Sequence, residues 1–190
     1  MRLFAAVLPP AAAVDELALA ARKLRDMPGA GGLRWTERAG WHFTLAFMGE
    51  VPDERVPDLT ERLARAAHRT EAFRLALHGG GRFGDRALWA GAAGDLAVMR
   101  RLAERADAAA RKAGLDMDQH RGYTPHLTLA RSRAATLDLR PFVTALDAFE
   151  GTPWTVGDLA LVRSNLPRSG VPGEQPRYEE VERWPLRAAG

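Results

Sequence analysis

HFTLAFMG, residues 42–49, and HLTLAR, residues 126–131, share the pattern His-x-Thr-Leu-Ala, 84 residues apart in a chain of 190 residues. Each copy has the apolar and β-favouring residues that are typical of a strand. Only five histidines occur in the chain, and two of them lie in this context. One copy alone would be an ordinary half-exposed strand. The matched pair indicates two related halves, each contributing one such strand to a common purpose.

The patterns around the two copies predict a succession of strands and amphipathic helices. Strands are predicted at 2–8, 33–36, 42–49, 73–79, 87–92, 123–131, 154–164 and 177–186. Helices are predicted at 11–26, 53–69, 95–113 and 139–149. The glycine-rich stretch GGGRFGD, residues 79–85, is expected to form a flexible loop.

This order predicts an α+β fold in which 1–190 forms a single bilobal domain. The approximate halves are 1–92 and 93–190, with the termini as candidates for exchange between the lobes. We expect two pseudo-symmetric antiparallel-sheet lobes, with helices on the outside and a central cleft that carries both His-x-Thr motifs.

Side chains alternate across a strand, so the His, Thr and Ala of each copy are predicted to share one face. The cleft-facing set is therefore His42, Thr44 and Ala46, with His126, Thr128 and Ala130. The residues between them, including Phe47 and Leu129, are expected on the opposite face. If the lobes pack sheet face to sheet face, two imidazoles and two hydroxyls converge on one cleft.

Such a cleft is suited to displacement at phosphorus. Two histidines with ordinary pKa values near ~6.5 can hold opposite protonation states at neutral pH. One can then accept a proton from the attacking oxygen while the other donates a proton to the leaving oxygen, which predicts a bell-shaped pH profile around neutrality. The hydroxyls of Thr44 and Thr128 can donate hydrogen bonds to phosphate oxygens. The pattern does not say which histidine takes which role.

Composition limits the alternatives. The net charge is a mild +3, and the absence of cysteine rules out disulfides and thiolate chemistry. It also fits a cytoplasmic protein. No apolar run is long enough for a membrane span, and the N-terminal stretch is expected to form a strand and a helix rather than a leader. Two histidines could bind zinc, but neither motif contains the Asp, Glu or Cys that would complete a ligand set.

The paired motifs resemble the 2H phosphoesterase superfamily, and in particular its branch of bacterial and archaeal RNA 2′,3′-cyclic phosphodiesterases, also called 2′-5′ RNA ligases. The likeness covers essentially the whole chain: RLFAAVLPP, LRWTERAGWHFTLAFMGEV, YTPHLTLAR and LVRSNL…RYEEVERWPL follow the family in order and spacing. One departure is Trp41, where many relatives have a different apolar residue.

The resemblance implies metal-independent hydrolysis of RNA 2′,3′-cyclic phosphate ends to 2′-phosphomonoesters, without a cofactor. We expect the protein to be a monomer. It implies that His42 is the proton donor and His126 the proton acceptor. Thr44 and Thr128 would then hold the phosphate, and Arg131 would lie near it. By strict alternation Arg131 points away from His126, so a strand end or a bulge would have to bring it round.

Three functional alternatives stay open on the sequence alone. The same groups could run the reverse reaction, 2′-5′ RNA ligation. The substrate could be a small nucleotide such as ADP-ribose cyclic phosphate, or the protein could be a non-catalytic module that binds RNA ends.

Several other residues are candidates for contacts around the cleft. Phe4, Trp35 and Tyr123 could each stack on a base or pack in the core. Arg34, Arg163 and Arg168 could each contact a phosphate or lie on the solvated surface. His120, in the polar loop DMDQHRG, could approach the cleft but is not assigned to it.

Overall fold

The computed structural model describes residues 1–119, 122–133 and 137–190. The strands are β1 Arg2–Val7, β2 Leu33–Trp35, β3 Phe43–Glu50, β4 Phe73–Phe83, β5 Ala87–Gly94, β6 Leu127–Ser132, β7 Trp154–Val156, β8 Asp158–Asn165 and β9 Arg177–Pro185. The helices are α1 Ala11–Arg25, α2 Val56–His68, α3 Leu96–Lys112 and α4 Arg140–Leu146. None of the helices in these described ranges is long and apolar enough to cross a bilayer.

The strands form two antiparallel sheets, with the orders β3-β1-β8-β9 and β2-β6-β5-β4-β7. The orders β3-β1-β8-β9 and β6-β5-β4-β7 correspond strand for strand, and β2 is an additional edge strand beside β6. The two motif strands, β3 and β6, therefore hold equivalent places in the two sheets. The α+β class with two antiparallel sheets is confirmed. Each sheet takes strands from both the first and the second half of the sequence.

One hydrophobic core runs through both sheets and the helices. The residue that follows each motif histidine, Phe43 in β3 and Leu127 in β6, is completely buried in it. The amphipathic helices supply the facing side chains, such as Leu63 of α2 and Leu102 of α3, which are also completely buried. Because neighbouring strand residues point to opposite sides, this burial leaves the His and Thr of each motif at the sheet surface.

Two predictions about strand boundaries were wrong. The glycine-rich 79–85 is not a loop, because β4 continues to Phe83 and only a short turn separates it from β5. Gly80 and Gly81 serve close packing there, since a β-carbon on Gly80 would lie 2.5 Å from the Leu146 side chain. The predicted strand 154–164 is two strands, β7 and β8, which separate at Gly157 and belong to different sheets.

Candidate active site

His42 lies immediately before β3 with its ring packed between two aromatic side chains. The ring centroids lie 4.6 Å from Phe4 and 5.2 Å from Tyr178. Burial lowers the pKa of His42 to about 4, against an opposing hydrogen bond to the backbone of Gly40, and the charge of His126 lowers it further. His42 is therefore neutral at pH 7 in the unliganded protein, and one limb of the expected pH profile moves away from neutrality.

His126 has the equivalent place before β6. Its ring centroid lies 4.8 Å from Phe83 and 6.0 Å from Trp89. Its Nδ1 lies 2.8 Å from the carbonyl oxygen of Thr124. A carbonyl oxygen can only accept, so Nδ1 carries the proton, and Nε2 is the unprotonated nitrogen of the neutral ring.

The match between the two copies thus extends beyond the motif residues. Each histidine is bonded to the backbone two residues before it, His42 to Gly40 and His126 to Thr124. Each ring is also packed against aromatic side chains of other strands. A backbone bond to one ring nitrogen fixes both the tautomer and the ring orientation, which is the arrangement that an acid or base needs.

Tyr123 connects the two motifs. Its hydroxyl donates a hydrogen bond of 3.0 Å to the backbone oxygen of Thr44, from the segment before β6 to the start of β3. Burial raises the pKa of Tyr123 above its usual range, so the hydroxyl stays a donor at all ordinary pH values. This contact ties the segment that leads to His126 to the strand that follows His42, and the charge of His126 is one of the causes that lower the pKa of His42.

Two matched bulges correct the strict alternation predicted for the motif strands. Consecutive residues of β1 pair with Ala46 and Thr44, so Leu45 is an extra residue in β3. In the same way, consecutive residues of β5 pair with Ala130 and Thr128, and Leu129 is the extra residue in β6. A bulge shifts the residues that follow it to the other face of the strand.

The bulges exchange which residues face the cleft. Ala46 and Ala130 are buried, contrary to the prediction, whereas Phe47 and Arg131 are exposed. Arg131 lines the same cavity as His42 and Thr44, so the bulge that it required is present.

That cavity measures about 410 Å³ and lies on the His42 side of the cleft. Its walls include His42, Thr44 and Arg131 of the predicted site. His126 and Thr128 are half-buried and do not line it. The structure therefore gives the two histidines different surroundings: His42 lines this cavity, whereas His126 lies outside it beside Phe83 and Trp89.

Arginines are concentrated around the cavity. Arg34 lies directly across from Arg131 in the β2–β6 pairing, and both line the cavity together with Arg2. Like charges opposite each other on paired strands are unfavourable unless an anion compensates them. Arg163 and Arg168 line a neighbouring cavity of about 950 Å³ instead.

Several of the lining residues were not predicted from the sequence. Arg2 lies 4.7 Å over the ring of Phe47, which only the bulge brings to this face. Tyr178 comes from β9, 136 residues beyond its contact His42. Burial raises the pKa of Tyr178, opposed by the charges of Arg131 and Arg2, and all three side chains line the cavity.

Most of the aromatic residues considered for base stacking have packing roles in the structure. Phe4 is only 3% exposed and supports His42, and Tyr123 is the interstrand donor described above. Trp35 is half-buried, donates from Nε1 to the backbone of Ala30 and also lines the cavity. His120 lies outside the described residues. Within the described ranges, no group of three or more His, Asp or Glu side chains is placed to hold a metal ion.

Comparison with known proteins gives a consistent family. The model of the 2′-5′ RNA ligase superfamily matches residues 9–168. An RNA 2′,3′-cyclic phosphodiesterase of Thermus thermophilus is 33% identical over 98% of this chain and 91% of its own length. An RNA 2′,3′-cyclic phosphodiesterase of Geobacillus stearothermophilus is 30% identical over 82% of this chain, which spans about half (48%) of that relative.

Solved structures agree with these matches. A crystal structure of a Thermus thermophilus protein has a TM-score of 0.78 at 30% identity and covers 100% of both chains. The crystal structure of Escherichia coli LigT complexed with 3′-AMP has a TM-score of 0.75 at 26% identity, covering 97% of each chain.

Proposed function

The chain belongs to the 2′-5′ RNA ligase superfamily, and from this premise we propose that it is an RNA 2′,3′-cyclic phosphodiesterase. The observation that carries the proposal is the matched pair of histidines. Both are bonded to the backbone two residues earlier and lie at the start of equivalent strands, and His42 lines one cavity with Arg131. In-line displacement at a phosphate requires an acid and a base in fixed orientation and a cation for the phosphate, and two oriented imidazoles and an arginine can supply them.

In the proposed reaction His126 is the base and His42 the acid. The free Nε2 of His126 takes a proton from water as the water oxygen attacks phosphorus. The bond from phosphorus to the ribose 3′ oxygen breaks, and His42 gives its proton to that oxygen. The product is a 2′-phosphomonoester, and each proton transfer contributes roughly 10²–10⁴-fold to the rate.

The surroundings of the two histidines support this assignment. The leaving oxygen belongs to the ribose, and the cavity of about 410 Å³ that a nucleoside could fill lies beside His42. The attacking water needs an open approach, and His126 lies outside that cavity. The orientation of His126 also supports its role, because Nδ1 donates to Thr124 and leaves Nε2 free to accept a proton.

The remaining predicted residues would hold the phosphate. The hydroxyls of Thr44 and Thr128 can donate to its non-bridging oxygens, and the planar guanidinium of Arg131 suits two of them at once. Arg131 has a stronger basis here than in the sequence, because the bulge at Leu129 turns it toward the cavity that His42 lines.

The acid role requires a protonated His42, which the unliganded protein does not provide at pH 7 because burial lowers the pKa of His42 to about 4. A bound phosphate anion raises that pKa, since an opposite charge nearby favours the charged imidazole. Substrate binding would therefore bring the catalytic proton with it.

The same groups would serve 2′-5′ ligation if a 5′-hydroxyl replaced the water, by microscopic reversibility. The proposal further includes action on RNA ends by a monomer in the cytoplasm, which gel filtration and cell fractionation would test.

The experiment for the proposal is turnover of adenosine 2′,3′-cyclic phosphate in EDTA, with the position of the product phosphate resolved by ³¹P NMR. Wild type is expected to form only the 2′-phosphate. His126→Ala is expected to lose at least about 10² in turnover while still binding the nucleotide, and His68→Ala, at an exposed position of α2, serves as the control. A non-catalytic RNA-end binder would instead show no turnover in wild type and a loss of affinity in His126→Ala.

A further inference from the structure

An aromatic surface lies beside His126, outside the cavity. Phe83, at the end of β4, is 43% exposed. Its ring centroid lies 5.4 Å from that of Trp89 and 4.8 Å from that of His126. We call Phe83 and Trp89 the aromatic shelf.

The fold constructs this shelf specifically. Gly81 pairs with Trp89, and Trp89 pairs with Thr128, so the shelf is on the same face of the sheet as the second motif. A β-carbon on Gly81 would lie 2.4 Å from ring carbons of Trp89, so only glycine allows the indole to lie flat across β4. The glycines of β4 thus extend the strand to Phe83 and seat Trp89.

Packing alone does not account for tryptophan at this position. Trp89 is only half-buried, yet its Nε1 is buried and has no hydrogen-bond partner within the described residues. A buried, unpaired N–H is a cost that phenylalanine would avoid. Tryptophan provides a large flat ring next to the exposed ring of Phe83, and nucleic-acid bases stack on aromatic surfaces of this kind.

The shelf is separate from the cavity. Neither Phe83 nor Trp89 lines the 410 Å³ cavity, whose walls include His42 and Tyr178, whereas both rings lie beside His126. If the ribose that carries the cyclic phosphate occupies the cavity, the shelf stays unoccupied next to the base that activates the nucleophile.

Resting on the proposed function, we propose that the aromatic shelf binds the base of a second nucleoside, one whose free 5′-hydroxyl replaces water as the nucleophile. The 5′ oxygen forms a bond to phosphorus while the bond to the 3′ oxygen breaks. His126 takes the proton of the 5′-hydroxyl, and His42 supplies a proton to the 3′ oxygen. The product is a 2′-5′ phosphodiester, so the shelf sets the division between ligation and hydrolysis.

A purely structural role for Phe83 is distinguishable from this one. If its ring only holds His126 in place, replacement would slow hydrolysis and ligation equally, since both use the same base. If its ring stacks on the incoming nucleoside, replacement would lower ligation more than hydrolysis, because water makes no use of the shelf.

The test is a reaction of an RNA oligonucleotide ending in a 2′,3′-cyclic phosphate with a second oligonucleotide carrying a 5′-hydroxyl. The 2′-phosphate and the 2′-5′-linked product are measured in one mixture as the acceptor strand is varied. Phe83→Leu keeps an apolar contact with His126 and removes the ring. It should reduce the ratio of ligation to hydrolysis by about 5- to 150-fold, the equivalent of one lost stacking contact.

Phe83→Trp should restore the ratio because it returns an aromatic ring, and Leu19→Ala, at an exposed position of α1, should leave both products unchanged. An unaltered ratio in Phe83→Leu, or an equal fall of both products, would overturn the proposal. A wild type that hydrolyses the cyclic phosphate but neither forms nor cleaves a 2′-5′ linkage would overturn it as well. Loss of hydrolysis itself in wild type would contradict the proposed function instead.

Discussion

The free energy of unfolding of wild type is expected to fall when the pH is lowered from 8 to 5. Replacement of His42 should remove a large part of that decrease. Burial lowers the pKa of His42 from 6.5 to about 4 in the folded protein. The unfolded chain therefore takes up a proton at higher pH than the folded protein does. The stability associated with this difference is complete above pH 6.5 and is lost progressively as the pH falls toward 4.

The size of the effect follows from the same two values. A displacement from 6.5 to about 4 corresponds to about 3 kcal/mol once both states are fully protonated. Between pH 8 and pH 5 the loss is about 2 kcal/mol, because at pH 5 the unfolded histidine is largely protonated and the folded one is not. For a protein of this size, that is about 4–8 °C in Tm.

The measurement is urea unfolding of wild type and His42→Gln at pH 8 and pH 5 in buffers without phosphate. Wild type should lose about 2 kcal/mol more than the variant between the two pH values. His68→Gln, at an exposed position on α2, controls for the loss of a histidine as such. An equal loss of stability in wild type and His42→Gln would refute the reasoning, since His42 would then titrate alike in both states.

Three further predictions concern the cleft. The acidic limb of the kcat/KM profile should lie near pH 4, the pKa of His42 in the free protein. The acidic limb of the kcat profile should lie at higher pH, because bound phosphate raises the pKa of His42. Acidic limbs at the same pH in the two profiles would contradict this prediction. Tyr123→Phe should lower the free energy of unfolding in urea by about 1 kcal/mol, because the hydrogen bond to Thr44 is lost. It should also lower turnover. Unchanged turnover would show that this hydrogen bond does not position the histidines. Gly81→Ala should cost about 1–3 kcal/mol in the free energy of unfolding, because its β-carbon displaces the Trp89 ring, whereas Gly31→Ala, where nothing lies within 4 Å, should cost little.

The parts of the fold that follow from local patterns were predictable. Phe43 and Leu127 follow their histidines on the opposite face, so alternation correctly predicts a buried side and a cleft side up to Thr44 and Thr128. The helices follow from their apolar periodicity, since a helix needs only neighbouring residues to define its buried stripe.

Beyond the threonines the sequence was insufficient, because the bulges depend on partner strands. Leu45 and Leu129 become extra residues only through the register of β1 and β5, and nothing in Thr-Leu-Ala marks them. The predicted positions of Phe47 and Arg131 were wrong or unresolved for that reason. Both copies nevertheless form the bulge at the equivalent residue.

Long-range contacts also determine the chemistry of His42. Its lowered pKa depends on burial, and its ring neighbours are Phe4 near one end of the chain and Tyr178 near the other. No local pattern brings these three rings together. The prediction for the glycines of β4 was wrong for a related reason. A glycine-rich stretch is typical both of a flexible loop and of a closely packed strand, and only the neighbouring Leu146 and Trp89 distinguish the two.

The most direct test of the two-histidine unit is kcat/KM for an RNA oligonucleotide ending in a 2′,3′-cyclic phosphate, measured for wild type, His42→Ala, His126→Ala and the double variant. Each single replacement should lower kcat/KM by at least about 10², and the double variant should be no worse than the poorer single variant, because groups that act as one unit are not additive. Full turnover in either single variant, or losses that multiply in the double variant, would contradict a paired acid and base.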